Sequence, residues 1–139
     1  MEITFTISPP CKMSLDADHI SSILGVQPTK IWRRKPNLVV HGNDNIPEMA
    51  WEYSIQNSKY ETENTLDRAI NDILDVFDGK AAALACLLKE SNFSASIVCT
   101  YRTDNLVPGV YISHETLKRV ILYECDIGWS VQVDPPDPA

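Results

Sequence analysis

Leu24-Gly25-Val26-Gln27-Pro28-Thr29-Lys30-Ile31-Trp32 stops a helix, turns, and launches a segment that carries a tryptophan. Gly25 follows the last apolar residue of a helical pattern, where a residue tolerant of positive φ ends a helix cheaply. Pro28 lacks the N–H that a continuing helix needs, and it holds Gln27 extended. From Thr29 to Trp32 polar and apolar residues alternate, so the segment reads as a short strand. Thr29 and Ile31 fall on one face and Lys30 and Trp32 on the other.

Upstream, Glu2 to Ser8 sets Ile3, Phe5 and Ile7 against Thr4, Thr6 and Ser8, the pattern of a strand with one face on a core. Pro9-Pro10 ends it. Asp16 is a good N-cap, Leu15 before it can staple onto Ile20, and Ile20, Ile23 and Leu24 form the buried stripe of a helix over 17–24. Downstream, Leu38 to Pro47 contains Gly42-Asn43-Asp44-Asn45 and reads as a long turn. Glu48 to Gln56 then alternates Met49, Trp51, Tyr53 and Ile55 against Ala50, Glu52 and Ser54. This strand can pair back on 29–33, which places Trp32 and Trp51 on one hairpin.

Leu66, Ala69, Ile70, Ile73, Leu74 and Phe77 mark the clearest amphipathic helix, capped by Asn64 or Thr65 and broken at Asp78-Gly79. Lys80 to Glu90 is apolar nearly all round, which predicts a deeply buried helix. Phe93 to Arg102 and Pro108 to Ser113 read as strands around a turn at Asp104-Asn105, followed by a helix over 114–123 and a strand over 127–133. Leu15-Asp16 with Ile20, Ile23 and Leu24 is matched 97 residues on by Ile112-Ser113 with Leu117, Val120 and Ile121. The match suggests two similar strand-helix-strand units around the long central helix. The order βαββα(α)ββαβ predicts an α+β fold, an antiparallel sheet with helices packed on one face. One domain is expected over 1–134, with a flexible Pro-rich tail over 135–139.

Leu-Gly-x-x-Pro-Thr-x-x-Trp, a short helix with an aspartate at its start before it, and Trp51 nineteen residues after Trp32 resemble an uncharacterised bacterial domain family. Ile112-Ser113-His114-Glu115-Thr116-Leu117-Lys118-Arg119-Val120 resembles the closing helix of that family. The resemblance covers most of the chain and departs after Trp32, where Arg33-Arg34-Lys35-Pro36 stands in place of the usual glycine. It implies a fold and brings no catalytic residues.

A chain of 139 residues can bury a core of its own without a metal or disulfide staple. Four cysteines, Cys11, Cys86, Cys99 and Cys125, form no Cys-x-x-Cys and mostly sit in apolar segments, so buried free thiols are expected. No signal-peptide pattern follows Met1 and the longest apolar run, Ala81 to Leu88, is too short for a bilayer, so the expectation is a cytosolic protein without a membrane partner. A net charge of −7 disfavours duplex nucleic acid and favours a cationic partner.

The histidines His19, His41 and His114 show no ligand spacing with cysteines or carboxylates, so neither a metal nor any other cofactor is expected. His114 beside Glu115 is the nearest approach to an acid–base pair, but a solvated helix start explains it better. No phosphate loop, nucleophile elbow or Cys/His signature occurs, and the chain reads as a non-enzyme. Two surfaces remain. Lys30, Arg33, Arg34 and Lys35 cluster beside Trp32 and fit either an edge guarded by charge or a ligand or partner site together with Trp51. A single-stranded nucleic-acid site there is opposed by the acidic balance of the rest of the chain. Outside this cluster eight cations face nineteen acids, crowded into Glu61, Glu63, Asp67, Asp72, Asp75 and Asp78. Asp72 and Asp75 are expected opposite the apolar stripe of the central helix, a docking face for a basic protein. Small acidic proteins of this type resemble immunity proteins of contact-dependent toxin systems, which implies direct binding of a cationic toxin, a nuclease among the options. The alternative is a non-enzymatic module that holds a small ligand or peptide in a cleft between Trp32, Trp51 and the sheet.

Overall fold

The computed structural model describes residues 1–10, 13–34, 47–57, 65–103 and 111–133. Nine elements follow in order: β1 (Glu2–Ser8), α1 (Ala17–Leu24), β2 (Lys30–Arg33), β3 (Met49–Gln56), α2 (Thr65–Val76), α3 (Ala81–Ser91), β4 (Ser94–Thr103), α4 (His114–Leu122) and β5 (Cys125–Val133). The strands form one open sheet in the order β2-β3-β1-β4-β5. The α+β class holds, with a mixed sheet: β2–β3, β3–β1 and β1–β4 are antiparallel, and β4–β5 is parallel. The last pair differs from the all-antiparallel expectation because residues 111–113 form no strand, so β4 reaches β5 through helix α4, and a helical crossover returns the chain in the same direction. The turn expected at Asp104-Asn105 and the start of the strand expected from Pro108 lie outside the described residues, as do the 38–46 turn and the 135–139 tail.

Period-two alternation decides which face is covered. Ile3, Phe5 and Ile7 pair in register with Ile55, Tyr53 and Trp51 on one side and with Cys99, Ile97 and Ala95 on the other. These residues share one core with Ile20, Leu24, Leu66, Ile70, Ile73, Leu74, Phe77 and Leu84 from the helices. The opposite face carries Thr4, Thr6, Ser54, Ser96 and Thr100, and no described helix covers it. Thr4 and Ser54 hydroxyls hydrogen-bond across it at 2.9 Å.

The helix ends follow the sequence chemistry. Asp16 accepts from the His19 N–H at 3.2 Å and Ser113 Oγ accepts from the Thr116 N–H at 3.2 Å, so both expected caps form. Gly25 closes α1 at φ 69°, its N–H donating to the Ser21 carbonyl. Gly79, at φ 77°, separates α2 from α3. Two expectations about helix burial are corrected. Helix α3 is one-sided: Leu84, Leu87 and Leu88 are buried, whereas Ala82 and Cys86 are exposed. In α4, Val120 and Thr116 are buried, but Leu117 and Ile121 are 41% and 72% exposed. The stripe read from Ile112, Leu117, Val120 and Ile121 is therefore rotated, with a polar threonine taking the inner position.

The two strand-helix-strand units agree in caps and direction but not in adjacency. β2 runs parallel to β1 with β3 inserted between them, whereas β5 lies directly beside β4.

Candidate functional site

The acidic stripe of α2 and the closing helix α4 meet along a ladder of polar contacts. Asp67, Asn71 and Asp75 recur every four residues, so they share one flank of α2. The Asp67 carboxylate accepts the Ser113 N–H at 2.7 Å, just where α4 begins. Asn71 Nδ2 donates to Thr116 Oγ1 at 2.7 Å, and Arg119 Nη1 donates to both the side-chain and the backbone oxygen of Asn71. Arg119 also pairs with Asp75 at 2.6 Å, and the Tyr123 hydroxyl donates to the Phe77 carbonyl at 2.8 Å. Burial pushes the Asp67 carboxyl up, but hydrogen bonds from the Ser113 N–H and the Thr116 and Ser113 hydroxyls outweigh it and hold the group below its ordinary value. Burial raises the Tyr123 phenol. Arg119 opposes that shift, and Asp78, Asp75 and Cys125 add to it.

Above the ladder lies a groove of about 470 Å³, lined by Asp67, Asn71, Ser113, Glu115, Thr116, Lys118, Arg119 and Leu122. Leu122 stands 65% exposed in it. Lys118 and Glu115 face each other at 3.7 Å on its outer rim. The polar groups at its base are bonded to one another. His114 and Glu115 are both exposed, at the start of α4. Among the described residues no group of three or more His, Cys, Asp or Glu side chains is placed to hold a metal, and no helix is long and apolar enough to cross a membrane.

Of the six acids read as a docking face, Glu61 and Glu63 lie outside the described residues. Asp67 and Asp75 are both engaged by α4: Asp67 lies on a flank of the apolar stripe and accepts the Ser113 N–H, and Asp75, exposed on the side away from the stripe, pairs with Arg119. Asp72 is half-buried and Asp78 exposed. Among the described residues Trp32 and Trp51 do not line a common cleft. The two do share the β2–β3 hairpin, but Trp51 pairs with Ile31 and Trp32 with Ala50, so successive positions send them to opposite faces of the sheet. Trp51 has no exposed surface and its indole N–H donates to Ser21 Oγ at 3.1 Å inside the core. Trp32 is half-buried on the uncovered face.

The cations beside Trp32 are engaged locally. Arg33 reaches Met49 Sδ at 3.4 Å and Arg34 pairs with Glu48 at 3.7 Å. Lys30 sits opposite Glu52, whose carboxyl is raised by burial and by Glu2 although Lys30 lowers it. Lys35 and His41 lie outside the described residues. Thr29 anchors the turn: its N–H donates to the Glu52 carbonyl at 2.8 Å and its hydroxyl accepts the Ser54 N–H at 2.9 Å. Sequence reading missed Asn71, Thr116, Arg119 and Leu122 as members of one site. The only local signal was the Ser113 cap, because the partners lie more than forty residues apart.

No curated protein and no solved structure matches the chain. The family profile described as a domain of unknown function, DUF4279, matches residues 2–134, and the chain belongs to that family.

Proposed function

We propose that this protein is a non-enzymatic binding protein that holds a basic protein partner over the α2–α4 groove, and that it acts as an immunity protein by occluding a cationic toxin. The observation that carries the reading is Leu122, a largely exposed aliphatic side chain in a groove whose other lining is polar, Asp67, Glu115, Lys118 and Arg119 among it. Asp67, Asp72, Asp75 and Glu115 outnumber Arg68, Lys118 and Arg119 on the two helices, and Asp78 follows just after α2. An apolar anchor inside a polar rim is the anatomy of a protein-binding hot spot, and a surplus of negative charge speeds encounter with a cationic surface. The internally satisfied hydrogen bonds support binding over acid–base work. A toxin that acts on nucleic acid must present cations at its active site, which gives the acidic inhibitor its target. Such a partner would be met in the cytoplasm, where a delivered nuclease acts.

The test is a binding-rate series against the product of the adjacent gene, since an immunity gene lies next to that of its toxin. Leu122→Glu should abolish binding while far-UV circular dichroism stays unchanged. Asp78→Lys with Glu115→Lys should slow association, more at low salt than at physiological salt, where charges are screened over about 8 Å. Arg33→Glu with Arg34→Glu should leave association unchanged or faster. Loss of binding in that last variant alone would move the interface to the β2–β3 hairpin and defeat the reading.

A further inference from the structure

The described helices are anchored unequally. Helix α2 buries Leu66, Ala69, Ile70, Ile73 and Leu74, with Phe77 just beyond its end, and α3 buries Leu84, Leu87 and Leu88. Even α1, with eight residues, buries Ile20 and Leu24. Helix α4 spans nine residues and buries Thr116 and Val120, so a single aliphatic side chain is fully covered beneath it. Its other aliphatic residues, Leu117, Ile121 and Leu122, stand 41%, 72% and 65% exposed. Removal of apolar surface from water is the main force that docks a helix, and α4 draws least on it.

The polar ladder to α2 takes over that task, and its two ends differ in strength. At the C-terminal end the Tyr123 ring is buried and its hydroxyl donates to the Phe77 carbonyl, and β5 begins two residues later, in register with β4. At the N-terminal end the ties to α2 are hydrogen bonds: Asp67 to the Ser113 N–H and Asn71 to Thr116 Oγ1. Each of these is exchanged for a bond to water when the helix leaves, so its net contribution is modest. Isolated helices shorter than about 12 to 15 residues are marginal in water. For α4, leaving α2 and losing its own helical hydrogen bonds are therefore one event.

We infer that α4 is a latched strap: it leaves α2 and unfolds as a unit, hinged at Tyr123 and Glu124, while α1, α2, α3 and the sheet stay folded, and the Asp67–Ser113 contact is its latch. Glu124 already turns the chain sharply there, at φ 52°. The groove of about 470 Å³ above the ladder is lined from both helices, so it exists only while the strap is closed. Whatever seats in that groove holds the strap shut, because it binds the closed state and not the open one.

Native-state hydrogen exchange on the purified full chain, with no ligand added, tests the inference. In the parent, the amides of residues 117–122 should exchange at least tenfold faster than the slowest amides of α2. Ile73→Val separates local from global opening. Ile73 lies about 200° around α2 from Asn71, within the core, so its contacts survive the release of α4. That variant should speed the slow α2 amides and leave residues 117–122 unchanged, because it destabilises the closed and open states alike. Asp67→Asn should speed residues 117–122 about tenfold, since it destabilises the closed state alone. Residues 117–122 that exchange as slowly as α2, or that speed up with it by the same factor in Ile73→Val, would show that α4 unfolds only with the whole molecule and overturn the inference. Unchanged rates at 117–122 in Asp67→Asn would overturn the assignment of the latch.

Discussion

Trp51 packs edge-on to Phe5, with ring centroids 6.4 Å apart, and lies 6.1 Å from Phe77, so its removal opens a hole at the meeting point of β1, β3 and α2. Trp51→Ala should cost about 3 to 5 kcal/mol in denaturant unfolding, as other large-to-small core changes do. Asp67 acts through hydrogen bonds instead of volume. Asp67→Asn keeps the shape, removes the charge that accepts the Ser113 N–H, and should cost about 1 to 2 kcal/mol at neutral pH. Its folded-state carboxyl lies below the unfolded value of 3.8, so this stabilisation is present in full above that value and is lost as pH falls through the folded one. The stability gap between parent and variant should therefore close below pH 3.8 in an acid titration series. The cysteines separate by environment. Burial pushes Cys99 and Cys125 up to about 12, and in Cys125 the nearby Asp126 and Glu124 add to it, whereas Cys86 is exposed on α3. Brief alkylation at neutral pH followed by peptide mapping should find Cys86 modified well before Cys99 and Cys125. Alternation made Trp51 legible as a core residue. Cys86 was misjudged because an apolar run with small residues hides which side of its helix faces water.

At the level of elements, the nine-residue stretch from Leu24 to Trp32 behaves as its chemistry dictates. An added Cβ at Gly25 would meet only the Lys80 side chain, at an ordinary 3.7 Å, so steric clash is not the constraint there. The constraint is φ 69°, and Gly25→Ala should cost about 1 kcal/mol or more through backbone strain alone, read as a drop in thermal midpoint. The boundaries of β1, α1, β3, α2 and α3 followed from local signals: alternation, caps, and glycines at positive φ. Helix α4 shows where such signals stop. Its cap at Ser113 was legible, but its orientation is set by Asp67, Asn71 and Asp75 reaching across from α2, and that turns Leu117 and Ile121 outward. Periodicity reports that a helix has two faces. It cannot report which one a distant polar partner will pull inward. The parallel β4–β5 pair escaped for a related reason, since strand direction depends on the connection between strands and not on either strand alone.

Across the whole molecule, the core is continuous from α1 through the sheet to α3, and the described cysteines are free. Neither a chelator nor a reductant should shift the thermal midpoint beyond experimental error, and a drop of several degrees with either would contradict that account. The acidic surplus, by contrast, was legible in total but not in placement. A count of charges could not foresee that Arg119 would take up Asp75, or that the α4 amide at Ser113 would take up Asp67.

β1 lies at the centre of the sheet, between β3 and β4, although it precedes both in sequence. Its residues therefore leave the ribosome with neither neighbour made. β3 follows some forty residues later and β4 only after α2 and α3, roughly ninety residues on. At 5 to 20 residues per second, as bacterial and eukaryotic synthesis run, Ile3, Phe5 and Ile7 wait several seconds with at least one side unpaired. The α1–β2–β3 segment can shield one flank early, but the other stays open until Ser94–Thr103 arrives. The fold is thus completed late in synthesis, and a nascent chain that stops short of β4 leaves one side of its central strand bare to chaperones and to other nascent chains.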